Sequence, residues 1–141
     1  MIANNTRDLV KYHEGCSLRP YRDTVGKLTI GWGRNLEDVG ISQREADQML
    51  DVDLIHAEGV CVRIFGGWYA LSPVRRAVLI DMAHNLGEGG LRSFRKMRAA
   101  IEAGEFALAS LEMLDSKWAS QVGARARRLA NMMKDDQWPK I

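Results

Sequence analysis

The sequence predicts an α+β fold that is mainly α-helical. The stretch from Leu18 to Trp32 is apolar at alternate positions on both sides of a polar turn, which is typical of a β-hairpin. Most of the remaining chain carries apolar residues at three- and four-residue spacing, which is typical of amphipathic helices. A chain of 141 residues can bury a core without a disulfide or a metal ion. We therefore expect one domain over residues 1–141, organised as two lobes.

The N-terminal third predicts a helix that leads into the hairpin. Residues 4–13 have helical spacing, with Asn5 or Thr6 as the N-cap, and Gly15 ends the helix directly after Glu14. The hairpin turn contains Asp23 together with a threonine and a glycine. The polar run over residues 34–40 is expected to be a link.

Helix-start signals divide the rest of the chain. Ser42 and Glu45 form a capping box, and the helix that it opens is expected to be punctuated at Gly59. Ser72 followed by proline starts a second helix, which is apolar around most of its circumference and should end at Gly87. Further helices are predicted up to Gly104, over residues 106–114 and, as the last long helix, from residue 125 onward.

Composition excludes several classes of protein and site. No apolar run approaches the roughly 20 residues that span a bilayer, and the polar segment Met1–Arg7 predicts neither a signal peptide nor stable membrane insertion. Cys16 and Cys61 are expected to be small reduced core residues. They and the three scattered histidines form no metal-ligand spacing, so we expect no metal and no cofactor.

Charge is unevenly distributed although the formal net charge is only +2. Residues 92–141 hold ten Lys/Arg and six Asp/Glu, so this part could attract anionic cell walls, or it could simply be a solvated charged surface. Nucleic-acid binding is not expected, because the basic residues lack interleaved aromatics or a known reading motif.

The best candidates for chemistry are two carboxyl groups that come from different elements. Hydrolysis of a glycosidic bond needs one carboxylic acid to protonate the leaving oxygen and one carboxylate to stabilise the transition state or activate water. Glu14, expected to be buried beside Leu9, Tyr12 and Leu18, would be the acid, because burial disfavours the charged form. Asp23, on a polar turn, would stay ionised, and the hydroxyl of Thr29 would fix a water beside it.

The spacing Glu14, Asp23, Thr29, followed by Ile30-Gly31-Trp32-Gly33, resembles the catalytic triad of the T-even phage lysozymes, glycoside hydrolase family 24. Downstream landmarks follow the same order over nearly the whole chain, from Ser72-Pro73 to the arginines at 125–128 and Trp138. The resemblance implies a lysozyme-like fold with a small β-hairpin lobe over about 14–58 and a helical lobe over about 60–141, to which the N-terminal helix also belongs.

The resemblance also implies an activity. Such enzymes cut the β-1,4 bond between N-acetylmuramic acid and N-acetylglucosamine in peptidoglycan, with inversion. It implies an endolysin that lyses the host for phage release: a monomer, held in the host cytoplasm until a holin gives access to the periplasm and cell wall. It further implies that His84, Asn85, Arg125 and Arg34 bind substrate, with Arg125 also orienting Glu14.

Two alternatives remain open at this level. A lytic transglycosylase would use Glu14 alone and leave 1,6-anhydromuramic ends. A non-catalytic cationic antibacterial module on the same fold would act through the basic residues 92–141.

Overall fold

The structure is a computed structural model that describes residues 2–141, so Met1, the first residue of the segment considered above for a signal peptide, lies outside the described part. The predicted mainly helical α+β class is confirmed. The helices are α1 (Thr6–Glu14), α2 (Gln43–Ile64), α3 (Pro73–Arg92), α4 (Arg95–Glu102), α5 (Phe106–Leu114), α6 (Lys117–Val122) and α7 (Ala124–Asp135), with a short 3-10 turn at Trp68–Ala70. The strands are β1 (Ser17–Arg22), β2 (Leu28–Gly31) and β3 (Arg34–Asn35).

The chain forms two compact units, one up to Met49 and one over Leu50–Ile141, and α2 contributes residues to both. In the first unit, α1 begins as predicted, because Asn5 accepts a hydrogen bond from the backbone N–H of Asp8. It ends at Gly15, whose φ of +67° strongly favours glycine. α1 belongs to this first unit; the division of the chain into lobes made from the sequence stays a prediction.

The predicted hairpin is confirmed, and a third strand extends it. The sheet is antiparallel in the order β1-β2-β3, and Thr29 on the central strand pairs with Tyr21 on one side and Asn35 on the other. The expectation that residues 34–40 are only a link is wrong at its start, since β3 occupies the first two positions. Two polar residues carry too little alternation to reveal a strand.

The second unit contains the hydrophobic core. Its buried apolar side chains come from α2, the segment after it with the 3-10 turn, α3 and the C-terminal helices. The largest are Trp68, Phe65, Leu79, Met82, Leu91, Met97, Met113 and Met133. α2 runs unbroken through Gly59, so the predicted punctuation there is wrong: a single glycine costs a helix only about 1 kcal/mol, which packing offsets. Helix α6 was not predicted, although Ser116 caps it by accepting from the N–H of Ala119.

The predicted start of the apolar helix α3 is confirmed, whereas its predicted end at Gly87 is a kink within the helix. The hydroxyl of Ser72 accepts from the N–H of Arg75, and the backbone leaves helical geometry at Gly87, with φ +74° and ψ 175°. A last helical turn follows this kink and ends at Arg92. No helix within residues 2–141 combines the length and the apolar character needed to cross a bilayer.

The two cysteines are free, but they differ in environment. Cys61 is buried in the core, as predicted, and burial, with a smaller contribution from Glu58, raises the pKa of its thiol to about 12. Cys16 is exposed, so the prediction that it is a core residue is wrong. It lies between the end of α1 and the start of β1, where the first unit buries little apolar surface.

Candidate active site

Glu14 is the last residue of α1, and its carboxylate lies against the turn between β2 and β3. A Cβ atom added to Gly33 in that turn would be 2.7 Å from Glu14 Oε2 and 2.8 Å from Cδ. Gly33 has a φ of +83°, so glycine meets two requirements there: the left-handed backbone and the close approach of the carboxylate. The Gly-x-Gly signal after Thr29 was visible in the sequence, but its contact with Glu14 was not.

The surroundings predicted for Glu14 are wrong. Glu14 is exposed, and the three residues expected to bury it are exposed as well: Leu9 by 46%, Tyr12 by 78% and Leu18 by 87%. Helical and strand periodicity identified these residues as apolar but could not show whether their faces are covered. Any desolvation of this carboxyl group must therefore come from something other than those three side chains.

Asp23 and Thr29 are joined through the peptide groups of Lys27. Asp23 Oδ1 accepts from the N–H of Val25 at 3.0 Å and from that of Lys27 at 2.8 Å. Thr29 Oγ1 donates to the carbonyl oxygen of Lys27 at 2.9 Å, and the same carbonyl accepts from the N–H of Asp23. Both functional side chains are thus fixed to one backbone segment.

Asp23 and Thr29 each keep one oxygen that can still accept a hydrogen bond. Both bonds to the Asp23 carboxylate use Oδ1, so within residues 2–141 Oδ2 has no hydrogen-bond donor. Thr29 is only 3% exposed and its hydroxyl proton is committed to Lys27, so its oxygen can act only as an acceptor. A water placed here would have to donate to both groups.

Charged pairs brace the hairpin that carries Asp23 and Thr29. Glu37 accepts from the backbone N–H of Leu28 and pairs with Arg22. The bond from Leu28, followed by that from Arg22, lowers the pKa of Glu37 below its ordinary value. Lys27 also approaches Asp38, with 3.3 Å between Nζ and Oδ1. These contacts hold the β1–β2 turn to the segment that follows β3.

Arg34, predicted to bind substrate, is engaged by residues of its own unit. Its guanidinium makes two contacts with Glu45, of 2.8 and 2.9 Å, and donates to the carbonyl of Gly40. The same Glu45 closes the capping box with Ser42. The hydrogen bond from Arg34, followed by those from Ser42, lowers the pKa of Glu45 to about 2. Its substrate role stays a prediction.

His84 and Asn85 lie in the last full turn of α3 before Gly87. His84 is exposed and lines a depression of about 360 Å³ whose wall also contains His56 and Asp53 of α2. Asn85 Oδ1 accepts from the indole N–H of Trp118 at 2.8 Å. This bond ties α3 to α6 and orients the Asn85 amide, so that its NH₂ group is the part available to a ligand. No local sequence pattern indicates this bond.

Arg125, at the start of α7, forms an ion pair with Asp81 of α3. Its Nη2 and Nε atoms lie 2.8 and 2.9 Å from Asp81 Oδ1, and both side chains are more than a third exposed. Such an exposed pair contributes little to stability but restricts where the guanidinium points. Asp81 was not singled out from the sequence, because it is an isolated acid in an apolar helix.

Within residues 2–141, no group of three or more His, Cys, Asp or Glu side chains is arranged to hold a metal ion.

The chain is similar to known proteins over most of its length. A family model described as phage lysozyme matches residues 11–134. The chain is 23% identical to "Probable T4-type lysozyme 2" and 25% identical to "Probable T4-type lysozyme 1", both from Dictyostelium discoideum, with 94% of this chain and 95% of each relative covered. It is also 27% identical to the "Pre-baseplate central spike protein Gp5" of Enterobacteria phage T4, over 86% of this chain and 26% of that protein.

Proposed function

Because the chain belongs to the phage lysozyme family, we propose that it is a muramidase that hydrolyses the β-1,4 bond between N-acetylmuramic acid and N-acetylglucosamine in peptidoglycan. The observation that carries the proposal furthest is the pairing of Asp23 and Thr29 through the Lys27 backbone. It leaves one free carboxylate oxygen and one acceptor-only hydroxyl on a fixed scaffold.

In the proposed reaction, Glu14 donates its proton to the glycosidic oxygen as the bond from that oxygen to the anomeric carbon breaks. A water held by Asp23 Oδ2 and Thr29 Oγ1 attacks the anomeric carbon from the opposite face. Because both groups accept hydrogen bonds, the protons of the water point away from the sugar. A lone pair of the water oxygen then points toward the anomeric carbon. Asp23 takes up the released proton and then loses it to solvent, and Glu14 is reprotonated from solvent.

Because Glu14 is exposed in the free chain, we propose that the bound substrate completes its environment. A glycan strand that covers Glu14 would exclude water from the site of proton transfer. Asn85 is proposed to donate through its NH₂ group to an N-acetyl carbonyl, and His84 to contact a sugar face. Arg34 and Arg125 are proposed to bind substrate while held by Glu45 and Asp81.

The test is digestion of purified peptidoglycan by the wild type, by Glu14→Gln and by Asp23→Asn. We expect wild-type turbidity loss and losses of at least about 100-fold in both variants, in line with removal of a general acid or base. Glu102→Gln, a change at an exposed carboxylate on α4, is the matched control. If both variants still lysed whole cells at the wild-type rate without digesting purified peptidoglycan, the result would favour the non-catalytic cationic antibacterial module.

Analysis of the products separates the enzymatic alternatives. Hydrolysis leaves reducing N-acetylmuramic acid ends, and inversion of a β-linkage makes the first-formed end the α-anomer, which NMR detects before mutarotation. Mass spectrometry that finds 1,6-anhydromuramic ends instead would identify a lytic transglycosylase.

We also propose that the enzyme acts as an endolysin. It would accumulate as a monomer in the host cytoplasm and reach the wall in the periplasm through a holin, lysing the cell for phage release. Expression with and without a holin tests this: lysis should require the holin. The relatives in an amoeba and in a phage spike show that the family also occurs in other settings, so lysis without a holin would point to another route.

A further inference from the structure

A groove of about 270 Å³ lies where α7 ends and the chain turns back along it. One side is a face of α7 that presents Arg128, Asn131 and Asp135, which are spaced by three and four residues and so lie on the same side of the helix. The other side is the segment 137–140, which contains Trp138. None of the catalytic or substrate-binding candidates lines it.

The turn that forms this groove is anchored. Asp136 adopts the left-handed conformation, with φ +55° and ψ 41°, which stops α7 and reverses the chain. Its carboxylate accepts from the Ser72 hydroxyl, and Arg75 donates to the carbonyls of Met133 and Lys134 at the same helix end. The helix end and the turn from which the groove is built are therefore held in place by side-chain contacts.

Trp138 supplies the apolar surface of the groove. Its side chain is 62% exposed, whereas Trp68 and Trp118 are 1% and 4% exposed in the core. A large exposed aromatic ring at the edge of a concave surface is a typical stacking surface for a flat ligand with C–H groups on one face. Pro139 follows directly and restricts the backbone of Trp138.

The polar groups around Trp138 are free to bind. Across residues 2–141, no hydrogen bond within the chain involves the side chain of Asn131, Asp135, Gln137 or Arg128. The two amides donate and accept, the carboxylate accepts and the guanidinium donates. Together they match the hydroxyl groups of a sugar, each of which can do both.

The charge of the lining argues for a neutral ligand. Arg128 and Lys140 are balanced in part by Asp135, so the groove lacks the concentrated positive charge that would select a phosphate. Its volume is slightly below the range of about 300–1,000 Å³ that is typical of pockets for whole ligands, which suits a single sugar ring. We infer that this groove binds one neutral pyranose of a glycan, with the sugar ring stacked on Trp138, as a second carbohydrate site independent of the catalytic residues.

The test is an NMR titration of the full ¹⁵N-labelled chain with the trimer of N-acetylglucosamine. The indole resonance of Trp138 is identified by its loss in Trp138→Ala. We expect saturable shifts of that indole and of the amides of residues 128–140. In Trp138→Ala, the amide shifts over residues 128–135 should disappear, and Asn131→Ala should weaken binding while keeping the indole signal as a reporter.

Tyr69→Ala is the matched control, since Tyr69 is 76% exposed and lies outside the groove, and it should leave the shifts unchanged. Repeating the titration in Glu14→Gln keeps this inference separate from the proposed function, because the groove should bind sugar whether or not the chain cleaves it. An unchanged Trp138 indole at saturating trimer would overturn the inference, and so would shifts caused by inorganic phosphate but not by sugar.

Discussion

The carboxylate of Glu14 and the α-carbon of Gly33 approach so closely that a methyl group on Gly33 would lie 2.7 Å from Glu14 Oε2. The proposed acid is therefore positioned by the absence of a side chain on another element. The atoms that would clash belong to the end of a flexible side chain. A side chain at position 33 should therefore displace the Glu14 carboxylate more than it disturbs the fold.

Gly33→Ala should lower kcat by at least about tenfold, because misplacing a catalytic group is expensive even when the fold persists. The control is Gly104→Ala. Gly104 has a similar left-handed backbone, with φ +73°, but a Cβ added there would have no other atom within 4 Å. The measurement is the initial rate of peptidoglycan digestion beside a thermal melt. Equal kcat in Gly33→Ala and wild type would contradict the positioning role.

Thr29→Val should separate the hydroxyl of Thr29 from its packing, because valine keeps the shape and removes the oxygen. The Lys27 carbonyl keeps its bond from Asp23, so we expect a loss of only about 1 kcal/mol in the free energy of unfolding. The rate of peptidoglycan digestion should fall by more than this small loss of stability explains, because the proposed water loses one of its two hydrogen-bond acceptors. Thr29→Ser, which keeps the hydroxyl, should recover most of the rate; recovery in the valine variant instead would exclude the hydroxyl from the reaction.

Asn85 should contribute to the stability of the fold in addition to its proposed role in substrate binding. Its amide oxygen accepts a hydrogen bond from the indole N–H of the buried Trp118. Asn85→Ala should cost about 1–3 kcal/mol of unfolding free energy by leaving that N–H without its partner. Asn85→Asp keeps the acceptor oxygen and should retain most of the stability. A double-mutant cycle with Trp118→Phe measures the coupling by chemical denaturation. A coupling near zero would mean that the bond contributes nothing to the fold.

Because of Glu45, the stability of the first unit should decrease when the pH is lowered into the acid range. Its pKa falls from 4.5 to about 2 because of Arg34 first and Ser42 second, so the folded state favours the ionised form. That stabilisation is complete above pH 4.5 and is lost as the pH falls toward about 2. The difference in Tm between wild type and Glu45→Gln should be present at pH 7 and should shrink across this window.

The pair is exposed, so the effect of Glu45 should be small and should weaken further with added salt. Glu102→Gln, which removes an exposed carboxylate of α4, is the matched control for the loss of a surface charge. A Tm difference for Glu45→Gln that stays constant from pH 7 to pH 2 would contradict the assignment.

Local patterns were sufficient to predict most elements but not their environments. The caps at Asn5, Ser42 and Ser72 lie where their side chains satisfy the first N–H groups of a helix, which is a property of a few neighbouring residues. Exposure is different, since it depends on what covers a face. The expectations of a buried Glu14 and a core Cys16 were wrong for this reason.

By itself, the sequence determined the helical caps, the hairpin and the spacing of Glu14, Asp23 and Thr29, because each follows from residues close together along the chain. Only the tertiary structure decided which groups meet: Glu14 with Gly33, Asn85 with Trp118, Arg125 with Asp81 and Arg34 with Glu45. These pairs are 11 to 44 positions apart. Contacts over such separations depend on how whole elements pack, which no local pattern records.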